Sequence, residues 1–319
     1  MWWFIPAALV LLILILTYLV FRRAFYAANK VPASPYTPMR GSQYNAVRSQ
    51  MHANTELMDA EGFENIYIKS FDGTRLFGRY YHHKDGAPVL IFFHGYRSMA
   101  LRDGPGGFLL AKKLGINVLA VDQRAHGKSS GHIITFAVKE KEDCRCWAEY
   151  AQNRFGEDTP TILSGLSMGA ATVIMATALP LPKSVCCVIA DCPYTTPRAI
   201  LQNVSKNLGV PAWLSYPVLW LGAGLFGNFN LSAQGAVDAA ATCQIPTLIL
   251  HGEDDRLVPC DMGRKISEAS DGTVKIVTFP EAGHGLSFLI DPLGYEKAYT
   301  AFLQSIPALQ KHFASMVKM

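Results

Sequence analysis

The chain opens on an unbroken apolar run and then changes rhythm. From Trp2 to Phe21 no residue is charged, and Leu, Ile and Val dominate. Twenty residues at the helical rise span roughly 30 Å, the thickness of a bilayer's hydrocarbon core. Residues 1–22 therefore read as a transmembrane anchor. Trp2, Trp3 and Tyr18 stand near its ends, where amphipathic rings favour the interface. A cleaved signal peptide is the rival reading, but it would want basic residues ahead of a shorter run and small residues at a cleavage site. Here Arg22 and Arg23 follow the run. The positive-inside rule then puts Arg22, Arg23, Lys30 and the domain beyond them in the cytoplasm. Residues 23–62 read as a juxtamembrane stalk: 31–50 hold three prolines among scattered polar residues, and 51–62 have the spacing of a short amphipathic helix.

From residue 63 onward, short β-rich runs alternate with helical stretches. Residues 65–70 and 76–82 read as an antiparallel hairpin turning at Asp72-Gly73. The runs at 89–94, 117–122, 161–165, 185–190, 247–251 and 274–279 are almost continuously apolar. Strands apolar on both faces belong inside a parallel sheet covered by helices. Helical spacing occupies 107–114, 140–155, 168–179 and 262–269, and a closing helix at 292–312 is interrupted by Pro307. The alternation predicts an α/β doubly wound fold, a mostly parallel eight-stranded sheet with helices on both faces. Ligands of such sheets bind at the carboxyl ends of the strands.

Composition narrows the function classes. With 319 residues, half of them hydrophobic and 17% charged, the chain can bury a sizeable core and is neither disordered nor fibrous. The net charge is +4, of which the first 60 residues carry +3. The domain is thus nearly neutral, and no basic face for nucleic acid is implied. Seven cysteines without a CxxC pair argue for reduced thiols rather than a disulfide scaffold or a zinc site.

The chemistry gathers at the predicted strand ends. Gly165-Leu166-Ser167-Met168-Gly169 is a G-x-S-x-G directly after a strand and before an Ala-rich helix. A sharp strand-to-helix turn exposes the serine Oγ above the sheet, and glycines on either side keep a Cβ out of the neighbouring backbone. A serine hydroxyl needs a base, and the base an orienting acid. Of nine histidines three follow Ser167: His251, which ends the strand before the acids, His284 and His312. His284, in a glycine loop after the last strand, fills the role of base, while His312 reads as a surface residue. Glu253, Asp254 and Asp255 follow the preceding strand; Asp255 is the preferred acid, with Asp254 held in reserve. An oxyanion needs two backbone donors. Met168, next to the nucleophile, supplies one, and Tyr96 in the loop His94-Gly95-Tyr96-Arg97 the other. His94 and the segment 122–127 read as loop-fixing. This chemistry calls for no metal or organic cofactor.

Assembled, these residues resemble the α/β-hydrolase superfamily over about 63–315. Within it the chain looks like the serine aminopeptidase S33-like and Bem46-like membrane-anchored hydrolases. The likeness rests on the H-G-x loop at His94, D-x-R-x-H-G-x-S at Asp122–Ser129, the elbow at Ser167, G-x-x-D-x-x-V-P ending at Pro259, and G-H at His284. The G-x-x-D-x-x-V-P match selects Asp255 over Asp254. Ala125 departs from the pattern, since relatives usually carry glycine there. The resemblance also implies a cap, at about 193–242, over the active site. From Asn207 to Val237 there is no charge, while Trp213, Tyr216, Trp220, Phe226 and Phe229 recur. An apolar cap that lines an acyl pocket or touches the bilayer is the favoured reading, beside plain packing on the core. The expected activity is cleavage of a small-molecule ester or lipid-like substrate. A peptidase or an acyltransferase on the same residues, and a non-catalytic binding scaffold, are the alternatives; nothing in the sequence sets the oligomeric state.

Overall fold

The computed structural model describes residues 4–27, 34–37, 39 and 41–316. Trp2, Trp3, Lys30 and part of the expected stalk lie outside the described residues. In chain order the first half comprises α1 (Phe4–Ala24), α2 (Arg48–Asp59), β1 (Glu64–Lys69), β2 (Arg75–Tyr81), β3 (Val89–Phe93), α3 (Ala100–Asp103), α4 (Pro105–Lys113), β4 (Asn117–Asp122), α5 (Glu140–Phe155), β5 (Thr161–Leu166) and α6 (Met168–Ala176). The second half comprises β6 (Val185–Asp191), α7 (Pro197–Asn207), α8 (Ala212–Gly227), α9 (Ala236–Ala240), β7 (Thr247–Gly252), α10 (Cys260–Glu268), β8 (Val274–Phe279), α11 (Ser287–Ile290), α12 (Pro292–Ser305) and α13 (Gln310–Met316).

The eight strands make one sheet in the order β1-β2-β4-β3-β5-β6-β7-β8. β1–β2 and β2–β4 pair antiparallel and every other pair is parallel. The hairpin turns where Asp72-Gly73 predicts it: Gly73 has a φ of +82°, and Asp72 Oδ1 accepts from the Thr74 amide at 3.1 Å. β3 shows why the central strands read as continuous apolar runs. Val89, Ile91 and Phe93 join the core on one face of the sheet, Leu90 and Phe92 the core on the other, and all five are buried.

Local chemistry sets the helix ends. α4 starts at Pro105, two residues before the expected boundary, because proline at the first helical position gives up only an N–H that has no intrahelical acceptor. The closing helix divides at Ile306, where Pro307 opens a short 3₁₀ turn between α12 and α13.

The amino-terminal region departs from the expected anchor followed by a stalk. α1 runs to Ala24, and Thr17, Phe21 and Phe25 near its end are buried. The chain then pairs at once with the domain, since Ala27 N donates to His132 O at 2.8 Å and Ile134 N to Phe25 O at 2.8 Å. Further on, Tyr44 and Val47 are buried against Leu286, and Met58 of α2 joins the core beside Tyr81 and Phe108. The described part of the expected stalk is therefore packed structure. Apolar side chains drawn from it hold it on the domain, a feature its prolines conceal.

Candidate active site

β5 delivers Ser167 at the start of α6 with φ 58° and ψ −112°, a backbone region that ordinary residues avoid at about 1–3 kcal/mol. The turn is locked on both sides: Ser167 N donates to Asp191 O at 2.8 Å, and Ala171 N donates to Ser167 O at 3.0 Å. The flanking glycines are obligatory for a steric reason. A Cβ on Gly165 would lie 2.3 Å from the Gly169 carbonyl carbon, and one on Gly169 would lie 1.9 Å from Phe93 O.

The three sequence-predicted side chains converge. His284 Nε2 lies 3.0 Å from Ser167 Oγ, and His284 Nδ1 lies 2.7 Å from Asp255 Oδ2. Asp255 is buried, and its Oδ1 accepts from the amides of Leu257 at 2.9 Å and Val258 at 2.8 Å. Asp254 and Glu253 are exposed, and Glu253 accepts from Thr278 Oγ1 outside the site. His312 also lies apart, bonding the Leu114 carbonyl. Burial opposes the charge of Asp255, but the His284 charge, the bonds from His251 and His284 and the Val258 amide outweigh it and hold the carboxyl at about 2. Burial likewise opposes an imidazolium at His284; the charge and hydrogen bond of Asp255 overcome it, aided by Asp191 and Asp103, and the ring titrates above its ordinary value.

The loop after β3 carries Tyr96 to the edge of the same site. His94 is buried, accepts the Gln123 amide at Nε2 and so donates from Nδ1 to Gly95 O at 2.8 Å; burial pushes its pKa down to about 4. Arg124 makes a two-pronged ion pair with Asp143, and His126 takes the Arg97 amide at 3.0 Å, so this segment fixes loops as expected. Ala125 occupies the left-handed region at φ 64°, which accounts for the glycine expected there. Met168 is the first residue of α6, where an amide has no intrahelical acceptor.

Three residues near the serine carry no motif. Asp103, half-buried at the end of α3, accepts from Gly95 N at 2.7 Å and Ser98 Oγ at 2.6 Å and so fixes the Tyr96 loop. Asp191 ends β6 with one oxygen bonded by Tyr295 at 3.0 Å and the other unpartnered, and burial raises its pKa to about 6. Only its place at a strand end could have marked it. Cys192 Sγ lies within 4.8 Å of ligand atoms of Asp255 and His284. Those two already bond each other, and burial holds the thiol protonated, so the trio is a poor metal site.

Ser167 and His284 open into a cavity of about 290 Å³. Phe92, Ile189 and Phe288 line its apolar side, and Asp103, Asp191 and Arg102 its polar side. Among the described residues, none from 193–242 lines it, so the cap is not its lid. A further wall is the amino-terminal segment, through Met39, Tyr44, Met51 and Asn54, and Tyr44 OH donates to the His284 carbonyl at 3.2 Å.

The arrangement has relatives. Residues 90–298 match the Alpha/beta hydrolase family. Protein ABHD12B of Homo sapiens is 30% identical over 219 residues, covering 62% of this chain and 55% of that protein. The bifunctional esterase/perhydrolase DCH of Acinetobacter calcoaceticus is 24% identical over 272 residues, covering 69% and 93%. The structure of the Pyrococcus furiosus esterase Pf2001 superposes with a TM-score of 0.62 at 21% identity, covering 87% of this chain and 98% of that one. The matched region spans only 55% of ABHD12B and 64% of YqkD, a Bacillus subtilis relative. The family match runs from β3 into α12 and takes in the elbow, the acid loop and the histidine loop, so this chain belongs to the alpha/beta hydrolase family.

Proposed function

We propose that the protein is a membrane-anchored serine hydrolase that cleaves carboxylic esters, with lipophilic acyl substrates as its class. The observation that carries this reading is the unbroken line from Ser167 Oγ through His284 to Asp255, at 3.0 and 2.7 Å, opening into a mostly apolar cavity. Ser167 Oγ attacks the ester carbonyl while His284 Nε2 takes its proton. Asp255 holds the other ring nitrogen and balances the imidazolium that forms. The amides of Tyr96 and Met168 receive the developing oxyanion. His284 then gives its proton to the leaving alcohol, and a water deprotonated by the same nitrogen releases the acyl group. Ester cleavage is also what the names of the Acinetobacter and Pyrococcus relatives share. The membrane part of the reading rests on Ile5–Ala24, twenty residues long and apolar enough to span a bilayer.

A fluorophosphonate probe, which reports an activated serine, tests the core of the proposal. Wild-type protein should label, and Ser167→Ala should lose labelling together with at least about 10,000-fold of its ester turnover. Labelling that survives in Ser167→Ala moves the nucleophile elsewhere. Faster turnover of aminoacyl amides than of any ester in a chain-length series replaces the esterase by a peptidase.

A further inference from the structure

The fit of α1 to a bilayer is incomplete in a telling way. From Ile5 to Leu19 the large apolar side chains are exposed, but these fifteen residues rise only about 22 Å, short of the roughly 30 Å a bilayer's core requires. The missing depth falls on the last turns of α1. There Thr17 and Phe21 meet Gly222 of α8, where an added Cβ would come within 3.1 Å of Phe21 Cβ, and Tyr18 stacks edge-on against Phe226 at 5.2 Å. A bilayer thick enough to cover Ile5–Ala24 therefore covers part of α8 as well.

α8 is built for that position. Leu219, Gly222, Ala223 and Gly227 face the protein and are buried. The opposite face carries Trp213, Pro217, Trp220 and Gly224 at steps of four, three and four, one stripe of a helix, flanked by Leu214 and Leu225. Trp213 is 77% exposed, Trp220 50% and Leu225 55%, and no charge occurs from Asn207 to Val237. The polar side chains of α8 turn away from this stripe: Ser215 Oγ is buried, and Tyr216 OH bonds Ser232. An outward face made of tryptophan, leucine and proline has no favourable partner in water, and the helix that carries it packs its other face on a helix of bilayer-spanning length.

From this geometry we infer that α8 is a second membrane element, seated in the same leaflet as the end of α1, with lipid acyl chains as the partner of its outer face. The inference rests on the reading of α1 as a membrane span and adds to it where the reactive end of the domain sits. Tyr96 OH donates to Ala24 O at 2.6 Å and Arg97 to Arg23 O at 2.6 Å, so the loop expected to hold the oxyanion is fastened to the last carbonyls of α1. Those carbonyls have no intrahelical donors, which is why side chains of the domain can take them. Ser167 thus opens at the bilayer surface, within reach of an amphiphile whose acyl chain stays in the leaflet.

Tryptophan emission separates the two claims. The five tryptophans are Trp2, Trp3, Trp147, Trp213 and Trp220, and Trp147 is buried inside the domain. Full-length protein carrying Trp2→Phe and Trp3→Phe is reconstituted into phosphatidylcholine vesicles with and without bromine on the acyl chains. Retention on vesicles through an alkaline carbonate wash, with emission lowered by about half in the brominated lipid, is the expected result. Retention with unquenched emission overturns the inference about α8 and leaves the anchor standing; a cross-linked dimer in that sample assigns the face to a second copy. Loss of the protein from the vesicles overturns the anchor and α8 together. Trp220→Glu supplies a check on folding. It should leave hydrolysis of a water-soluble short ester unchanged while slowing a vesicle-borne long-chain ester roughly tenfold. Equal rates on the vesicle-borne ester before and after substitution overturn the role of the face.

Discussion

Two walls of one cavity are built by opposite means. The strand-end wall, with Ser167, Asp255 and His284, is dictated by backbone: a φ of 58° at the serine, glycines that tolerate no Cβ, and amides aimed at a carboxylate. The amino-terminal wall is held on the domain through its side chains. Tyr44 reaches the carbonyl of His284 across 240 positions of sequence, and its ring packs with Val47 on Leu286. A wall made by backbone geometry leaves a motif in the sequence. A wall made by docking leaves scattered apolar residues that any linker could carry.

The contrast predicts unequal effects. On the strand-end wall, Asp255→Asn should lower kcat by about 1,000- to 10,000-fold, because the amide can no longer hold the reactive tautomer or balance the imidazolium. The pH profile supplies the sharper readout. Activity needs neutral His284, and burial alone would lower its pKa, but the charge of Asp255 raises it above the ordinary value. The wild-type rate should therefore climb with pH through a limb above the ordinary histidine range. Removing the charge withdraws the largest raising influence, so the residual activity of Asp255→Asn should climb at lower pH. An unmoved limb in kcat/KM on a soluble ester would detach Asp255 from His284 and erase the distinction between the walls.

Tyr44→Phe probes the other wall. The ring and its packing stay, and only the bond to the His284 carbonyl is lost, a change of about 1 kcal/mol. kcat/KM should fall roughly fivefold and the thermal midpoint by about 2–4 °C. A fall as deep as that of Asp255→Asn would make the amino-terminal segment part of the reacting machinery rather than a cover over it.

The same contrast explains what the sequence disclosed. Six strands were legible because a central parallel strand must be apolar on both faces, as β3 is, and β1 and β2 because the Asp72-Gly73 turn joins them. The serine, acid and histidine were legible because each lies in a short segment whose local geometry demands particular residues. Asp103 and Asp191 were not, since a single aspartate after a helical turn or a strand has the same appearance whether it is buried or solvated. Tyr44 was hidden by neighbouring prolines and by the 240 positions that separate it from its partner. The uncharged stretch of the cap was legible, and two places were open to it, the cavity or the bilayer: its outward tryptophans face away from the cavity, and the packing of Phe21 on Phe226 sets it beside α1. Sequence pattern reports how a segment is built more readily than what it is set against.

The smallest effect tests the backbone half of this argument at one atom. Ala125 holds φ 64°, a conformation that costs an L-residue about 1–2 kcal/mol and glycine almost nothing. Ala125→Gly relieves that strain, but it frees the unfolded chain by about 0.5–1 kcal/mol and removes a buried methyl worth about 0.8 kcal/mol. These contributions nearly cancel, so thermal stability should stay within about 0.5 kcal/mol of wild type and activity should not change. Ala171→Gly is the matched control. It sits inside α6, fully buried and helical, where the same deletion has no strain to relieve and should destabilise by about 1–2 kcal/mol. Equal losses for the two substitutions, read as thermal midpoints side by side, would mean that position 125 holds its left-handed turn without strain. The glycine expected there from the family pattern would then need another cause than backbone geometry.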